Sequence, residues 1–354
     1  MDTIYQDIAA RTQGNVYIGV VGPVRTGKST LIKRIMEELV IPNIADPHRR
    51  ERARDELPQS GSGKTIMTSE PKFVPEEAVE VCPDGKTKMR LRMIDSVGYM
   101  IPGAVGAQED GNPRMVTTPW FDHEIPMTQA AELGTKKVMD GHCSIGLVVT
   151  TDGTVTDIPR EDYIEAEERV VGELKALGKP FLVIVNSAEP ENAAQLADEL
   201  AEKYGVTCIA KNCLTLEAGD ITEIIGSILS EFPVAQLGLF LPEWLEAMPL
   251  TSQVKADLFE AILAASDNVY KIRDIDGFAK AVSSSSGVSH ADIREINMGS
   301  GVCSVNIEVP KSLFYTTVSE STGLDITDDK TLIAVLTELA GIKSEYDRIA
   351  PALE

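Results

Sequence analysis

The sequence predicts an α/β domain built on a mostly parallel sheet, followed by a smaller α+β domain. Three observations carry this. From residue 16 to about 232, short apolar runs alternate with stretches of helical periodicity, the rhythm of a βα-wound parallel sheet. That rhythm stops after Phe232, where Pro233, Pro242 and Pro249 punctuate the chain. The 354 residues also exceed the ~250–300 at which single cores stop growing. The expected domains are therefore 1–235 and 236–354.

The elements of the first region follow in order. Residues 16–21 (VYIGVV) read as a strand and 29–39 as a helix. The charged stretch 44–68 reads as a mobile or nucleotide-ordered region rather than core. Runs 72–81 and 88–94 flank Pro83-Asp84-Gly85, a turn signal that makes them a hairpin. Residues 144–150, 180–186 and 206–210 are short and rich in β-branched side chains, as strands buried on both faces are. Helices fall between them at about 163–177, 192–203 and 220–231.

The second region reads differently. A long helical pattern spans about 252–282, broken or bent near Asp276-Gly277, and a serine loop covers 283–287. Two antiparallel strands, 293–298 and 303–309, surround Gly299-Ser300-Gly301, and helices at about 311–321 and 328–348 follow. No chemical motif falls here, so this module is expected to serve interaction rather than catalysis.

Composition narrows the function. A formal net charge of −22 argues against general nucleic-acid binding, which needs clustered Lys and Arg, and against electrostatic adhesion to anionic membranes. The five cysteines are scattered without a C-x-x-C pair. Reduced thiols of a cytosolic protein are expected, with no zinc site. No signal peptide or long apolar run is present, so direct transmembrane insertion is not expected.

The chemistry lies at the end of the first strand. Gly22-Pro23-Val24-Arg25-Thr26-Gly27-Lys28-Ser29 fits G-x-x-x-x-G-K-[ST], and its place between a strand and a helix is the context that makes this pattern a phosphate loop. Gly22 and Gly27 permit the tight turn that aims successive amides, from Gly22 through Thr30, at a phosphate. Lys28 would bridge the β- and γ-phosphates, and Ser29 would place its hydroxyl on Mg²⁺. Leu91 to Gly98 (LRMIDSVG) adds a D-x-x-G arrangement, in which Asp95 holds the metal shell and the Gly98 amide meets the γ-phosphate. Thr65, Thr68 and Ser69 supply hydroxyls where GTPase-like proteins close a threonine on metal and phosphate. The first domain is thus expected to be a P-loop NTPase of the GTPase-like (TRAFAC) type.

Three departures refine this. Guanine selection uses N-K-x-D, whereas this chain has Asn186-Ser187-Ala188-Glu189, so the lysine and aspartate are lost and adenine becomes plausible. Tyr99 stands where Ras-like proteins carry a glutamine that orients water, which implies slow hydrolysis or another positioning group. Arg25 lies inside the loop, where a guanidinium would supply positive charge in cis.

These segments together resemble one family. GPVRTGKST, DELPQS…GKTIMTSEPKFVP, IDSVGY, Gly111-Asn112-Pro113-Arg114-Met115, TTPW (117–120), TTDGT (150–154) and DYIEAEERV (162–170) are similar to stage IV sporulation protein A. The resemblance covers essentially the whole chain and is stronger to about residue 232. It implies a cytoplasmic ATPase at the forespore surface in the mother cell, whose hydrolysis of ATP drives self-assembly into the basement layer of the endospore coat. It implies ATP and Mg²⁺ as cofactors, Lys28 and Asp95 in the loop-lysine and Walker-B roles, and Thr68 and Ser69 where the family has a hydrolytic threonine pair. Implied partners are further copies of the chain, other spore coat proteins and a small amphipathic membrane peptide. The region that anchors that peptide is expected to lie beyond Glu354. Two other readings stay open here: a GTPase that selects guanine through Asn186, and a structural protein that binds nucleotide without turnover.

Overall fold

The computed structural model of the chain describes residues 2–58, 71–83, 86–102, 104, 108–109, 112–118, 120–246, 248 and 252–350. It divides into two compact units, Met1–Pro233 with Met298–Ser300, and Val234–Asn297 with Gly301–Glu354.

The first unit opens with α1 (Asp2–Arg11), which leads into β1 (Asn15–Val21) and α2 (Lys28–Ile35), extended by a wider turn over Met36–Val40. Helix α3 (Pro47–Asp55) follows. Strands β2 (Lys72–Val81) and β3 (Met89–Asp95) pair antiparallel, the hairpin that the sequence predicts. Two short hairpins come next, β4 (Gln108–Glu109) with β5 (Asn112–Pro113) and β6 (Met115–Thr118) with β7 (Phe121–Pro126), and then α4 (Met127–Lys137). The βα rhythm resumes with β8 (Ile145–Thr151), α5 (Ile164–Leu177), β9 (Phe181–Asn186), α6 (Ala194–Tyr204), β10 (Cys208–Lys211) and α7 (Ala218–Ser230).

The six-stranded sheet runs β10-β9-β8-β1-β3-β2, with only β2 antiparallel. Strands β8 and β9 are buried along their whole length, without alternation, because both faces are covered, whereas β2 and β3 carry charged, exposed positions. On β9, Leu182 and Ile184 join the core beneath α1, α2 and α7, while Val183 and Val185 join the core beneath α4, α5 and α6. Side chains alternate between faces along a strand. A continuous apolar run therefore seals two helix layers at once.

Of the charged stretch 44–68, residues 44–58 are described, and they hold the helix α3; 59–68 lie outside the described residues. Asp46 caps α3, its carboxylate accepting from His48 N (2.8 Å) and Arg49 N (3.2 Å), and Pro47 sits at the first helical position, where its missing N–H costs nothing. Ala53 is buried. Local capping chemistry thus makes a helix from a segment too polar to show an apolar stripe.

The second unit holds β11 (Gln236–Phe240), α8 (Gln253–Ser266), α9 (Ile275–Ser283), β12 (His290–Asn297), β13 (Val302–Glu308), α10 (Lys311–Thr322) and α11 (Asp329–Ile349). Its sheet runs β11-β13-β12, with β11 parallel to β13 and β12 antiparallel. The helical pattern over 252–282 is broken, as the sequence allowed, but ahead of Asp276-Gly277: α8 ends at Ser266 and α9 starts at Ile275. Asp274 accepts from the backbone of Tyr270 (3.1 Å) and Lys271 (2.8 Å) and so starts a new helical segment, whereas Gly277, the expected bend, lies inside α9. Helix α11 has no buried side chain.

Candidate nucleotide site

The loop between β1 and α2 is built on backbone that few residues adopt. Gly22 (φ +141°), Arg25 (+66°) and Gly27 (+96°) all lie at positive φ. A Cβ on Gly22 would lie 2.3 Å from Val149 O, and one on Gly27 2.3 Å from Asn186 Nδ2, so both positions require glycine. Arg25 adopts the left-handed region with a side chain, a strained arrangement of the kind that clusters at functional loops. Val24 is buried, Thr26 Oγ1 donates to Pro23 O (3.1 Å), and Thr30 lies in the first turn of α2.

Lys28 begins α2 and is buried. Its ammonium donates to Pro23 O (2.6 Å) and more weakly to Gly22 O (3.4 Å). Burial pushes its pKa down to about 8, against the pull of Asp95 and with the repulsion of Arg25.

The β1–β3 register sets Asp95 opposite Val20, which brings the D-x-x-G segment onto the loop. Ser29 Oγ donates to Asp95 Oδ2 at 2.6 Å. Asp95 Oδ1 is buried without a hydrogen-bond partner among the described residues. Burial raises the carboxyl's pKa, against the Ser29 hydrogen bond and the charges of Lys28 and Lys72. A dry, unsatisfied carboxylate oxygen beside a serine hydroxyl is a donor set that suits Mg²⁺.

Gly98 lies against the same loop, since a Cβ there would sit 2.5 Å from both Gly22 O and Lys28 Nζ. Its amide donates to Thr135 Oγ1 (3.3 Å) on α4. The neighbouring Tyr99 ties the backbone down: Tyr99 N donates to Gly22 O (3.2 Å), and Val24 N donates to Tyr99 O (2.9 Å). Its side chain is committed to α5, the phenol donating to Glu173 beneath the Arg169 guanidinium, 4.8 Å from the ring centre. Tyr99 is therefore an anchor and does not take the glutamine's place. Thr65, Thr68 and Ser69 lie outside the described residues.

At the end of β9, against the phosphate loop, Asn186 is a tie between loops. Its Nδ2 donates to Thr26 O (2.9 Å), and its Oδ1 accepts from Cys213 N (3.0 Å). Ser187, where a guanine site has lysine, donates to Asp152 Oδ2 (2.6 Å). Glu189, where it has aspartate, accepts from Asn192 Nδ2 (2.5 Å). Both positions are turned to protein partners. Below them the buried Glu167 accepts from Thr150, Arg160 (2.8 Å) and Tyr204 (2.7 Å), which joins the TTDGT segment to DYIEAEERV.

Comparison with known proteins fits this geometry. Residues 1–233 match the ATPase domain of stage IV sporulation protein A, and residues 234–354 match its middle domain. The chain belongs to the stage IV sporulation protein A family. It is 44% identical over 354 residues to stage IV sporulation protein A of Clostridioides difficile, 43% over 352 to that of Bacillus anthracis, and 40% over 353 to that of Bacillus subtilis. Each match takes in 99% of this chain and 72% of the relative. Crystal structures of two mutation variants of SsGBP align at a TM-score of 0.34 and 12–13% identity, over 62–64% of this chain and 57–59% of theirs; that likeness carries no argument.

This member of the stage IV sporulation protein A family is thus a sporulation ATPase, and no described helix is long and apolar enough to cross a membrane. Sequence reasoning misses Thr135, Cys213 and Glu173. Each meets its partner across a long separation, as Thr135 meets Gly98 and Glu173 meets Tyr99, so no local spacing marks it. Around Asn186, Ser187 and Glu189 carried a visible signal, the broken N-K-x-D pattern.

Proposed function

We propose that the chain binds ATP with Mg²⁺ on the loop from Gly22 to Thr30 and couples hydrolysis to its own assembly into the basement layer of the endospore coat. The Ser29–Asp95 contact of 2.6 Å beside the buried Lys28 carries the reading. In this assignment Ser29 and Asp95, with Thr68, hold the metal, which when bound neutralises charge on the phosphate oxygens. Lys28 bridges the terminal phosphates, and Arg25 adds positive charge within the same loop. Thr68 and Ser69 supply the hydrolytic hydroxyls. Adenine fits better than guanine because Ser187 and Glu189 are engaged elsewhere. The proposed setting is the mother-cell cytoplasm at the forespore surface, with other coat proteins and a small amphipathic membrane peptide as partners.

Assembly needs apolar surface left for a second copy, and α11 supplies one. Leu332, Val335, Leu339, Ile342, Tyr346 and Ile349 follow one another at alternating three- and four-residue steps, the seam of a coiled coil. Ile342, Tyr346 and Ile349 are 55%, 63% and 48% exposed. Beside the seam, Glu338 and Lys343 stand five residues apart, the spacing at which they pair across a parallel seam with a second copy.

Phosphate release with ATP and with GTP, run beside sedimentation of the product, tests the reading. The expected result is turnover of ATP well above that of GTP and pelleted polymer only when ATP is hydrolysed, both lost in Lys28→Ala. A preference for GTP, or equal polymer with a non-hydrolysable analogue, would overturn it.

A further inference from the structure

The Gly98 amide is already occupied. It donates to Thr135 Oγ1 at 3.3 Å, and a backbone N–H has a single hydrogen to give. The amide expected to meet a γ-phosphate therefore has to leave Thr135 to do so.

The surroundings suit such an exchange. Thr135 is fully buried, and its hydroxyl hydrogen is committed to Ala131 O at 2.8 Å, so toward Gly98 the oxygen can only accept. A separation of 3.3 Å lies beyond the usual N–H···O range, and that bond is weak and easily released. The acceptor itself is held firmly. Arg169 on α5 binds Glu132 of α4 with two bonds of 2.8 and 2.9 Å, and α4 packs closely at Gly134, where a Cβ would sit 3.1 Å from Trp120 and from Pro71, so α4 is held in place just ahead of Thr135. On the other partner, Tyr99 is anchored by Glu173 and by backbone bonds to Gly22 and Val24. Gly98, at φ +95°, has the conformational freedom to turn its amide between fixed neighbours.

We propose that Thr135 is a positioning residue that holds the Gly98 amide when no γ-phosphate is present and yields it when ATP binds, so that Thr135 sets the preference of the site for ATP over ADP. The proposal rests on the reading of the loop from Gly22 to Thr30 as the phosphate site. ADP has no group to take the amide, so the Thr135 bond persists with ADP and breaks only with ATP. Without the acceptor, the buried amide is orphaned in the free and ADP states and relieved by ATP alone.

Calorimetric titration of wild-type protein, Thr135→Val and Thr135→Ser with ADP and with a non-hydrolysable ATP analogue tests this. Thr135→Val is expected to raise the analogue-to-ADP affinity ratio about three- to tenfold, the worth of one modest hydrogen bond. Thr135→Ser, which keeps the hydroxyl, is expected to restore the wild-type ratio. A purely structural role would shift both affinities together. If the valine variant does not fold, Thr135→Ala removes the same acceptor and carries the same expectation. An unchanged ratio with both nucleotides bound would overturn the role of Thr135 and leave the phosphate site standing. Failure of the wild-type chain to bind either nucleotide would overturn both.

Discussion

Lys28 shows how a single buried residue ties the site to pH. Burial lowers its pKa from 10.5 to about 8, so the folded, nucleotide-free protein releases a proton that the unfolded chain keeps until higher pH. A depressed folded pKa contributes stability that is present above 10.5 and lost as pH falls through about 8. The charged lysine is thus held at a cost below pH 8, a cost that phosphate oxygens offset. Binding of an ATP analogue is expected to be steady up to about pH 8 and then to weaken by up to about tenfold per pH unit, with proton uptake visible in calorimetry. Lys28→Arg should flatten the dependence, because arginine stays charged. Affinity that does not change up to about pH 9.5 in the wild type would contradict the assignment of Lys28. The residues of this kind were legible in the sequence: Lys28, Ser29, Asp95 and Gly98 occur in short fixed spacings next to apolar runs. Thr135 was not, since nothing near it in the chain refers to Gly98, 37 positions away. The same holds for Asn186, whose family position was visible but whose bonds to Thr26 and Cys213 belong to tertiary structure.

Among elements, α5 braces the site and carries a correctable weakness. It holds Glu167, Arg169 and Glu173, yet its exposed Gly172 sits mid-helix, with open space where a Cβ would go. Gly172→Ala should stabilise the protein by about 0.5–1 kcal/mol through reduced freedom of the unfolded chain. That corresponds to a thermal midpoint higher by roughly 1–4 °C, with unaltered phosphate release. A lower midpoint would mean that α5 does not hold the backbone described. Gly134 on α4 is the contrasting case, because its added Cβ would meet Trp120 and Pro71 at 3.1 Å. The difference also explains which elements could be read in advance. Strands β8 and β9 of the large sheet announce themselves because both faces are buried along their whole length and the runs are almost wholly apolar. Helix α4 does not, since its buried positions include Ala130, Ala131, Gly134 and Thr135, small residues that pack closely without leaving an apolar stripe. Strand β11 is hidden for another reason: its partner β13 lies more than 60 residues on, pairing Gln236 with Val302, and no turn joins them. The break between α8 and α9 is fixed by the Asp274 carboxylate, so a glycine search pointed to the wrong residue.

For the whole molecule the governing quantity is charge. The chain carries 55 acidic against 33 basic residues, a net −22, and any assembly of copies brings that charge together. Like charges separated by more than a Debye length are screened, and that length shrinks from roughly 30 Å at 0.01 M salt to about 8 Å at 0.15 M. The proposed seam on α11 gains from burial of Leu339, Ile342 and Tyr346, which salt does not weaken. Repulsion between the acidic surfaces opposes it, and salt does weaken that. The critical concentration for ATP-dependent polymer should therefore fall several-fold between about 0.01 and 0.15 M monovalent salt at constant Mg²⁺, as measured by sedimentation. ATP hydrolysis by the unassembled chain should change far less, because its contacts are buried and lie within one unit. Ile342→Glu should raise the critical concentration at every salt level, since it places a carboxylate in the seam. A critical concentration that rises with salt would show that attraction between opposite charges, rather than apolar burial, holds the copies together, and the assignment of α11 would fall with it.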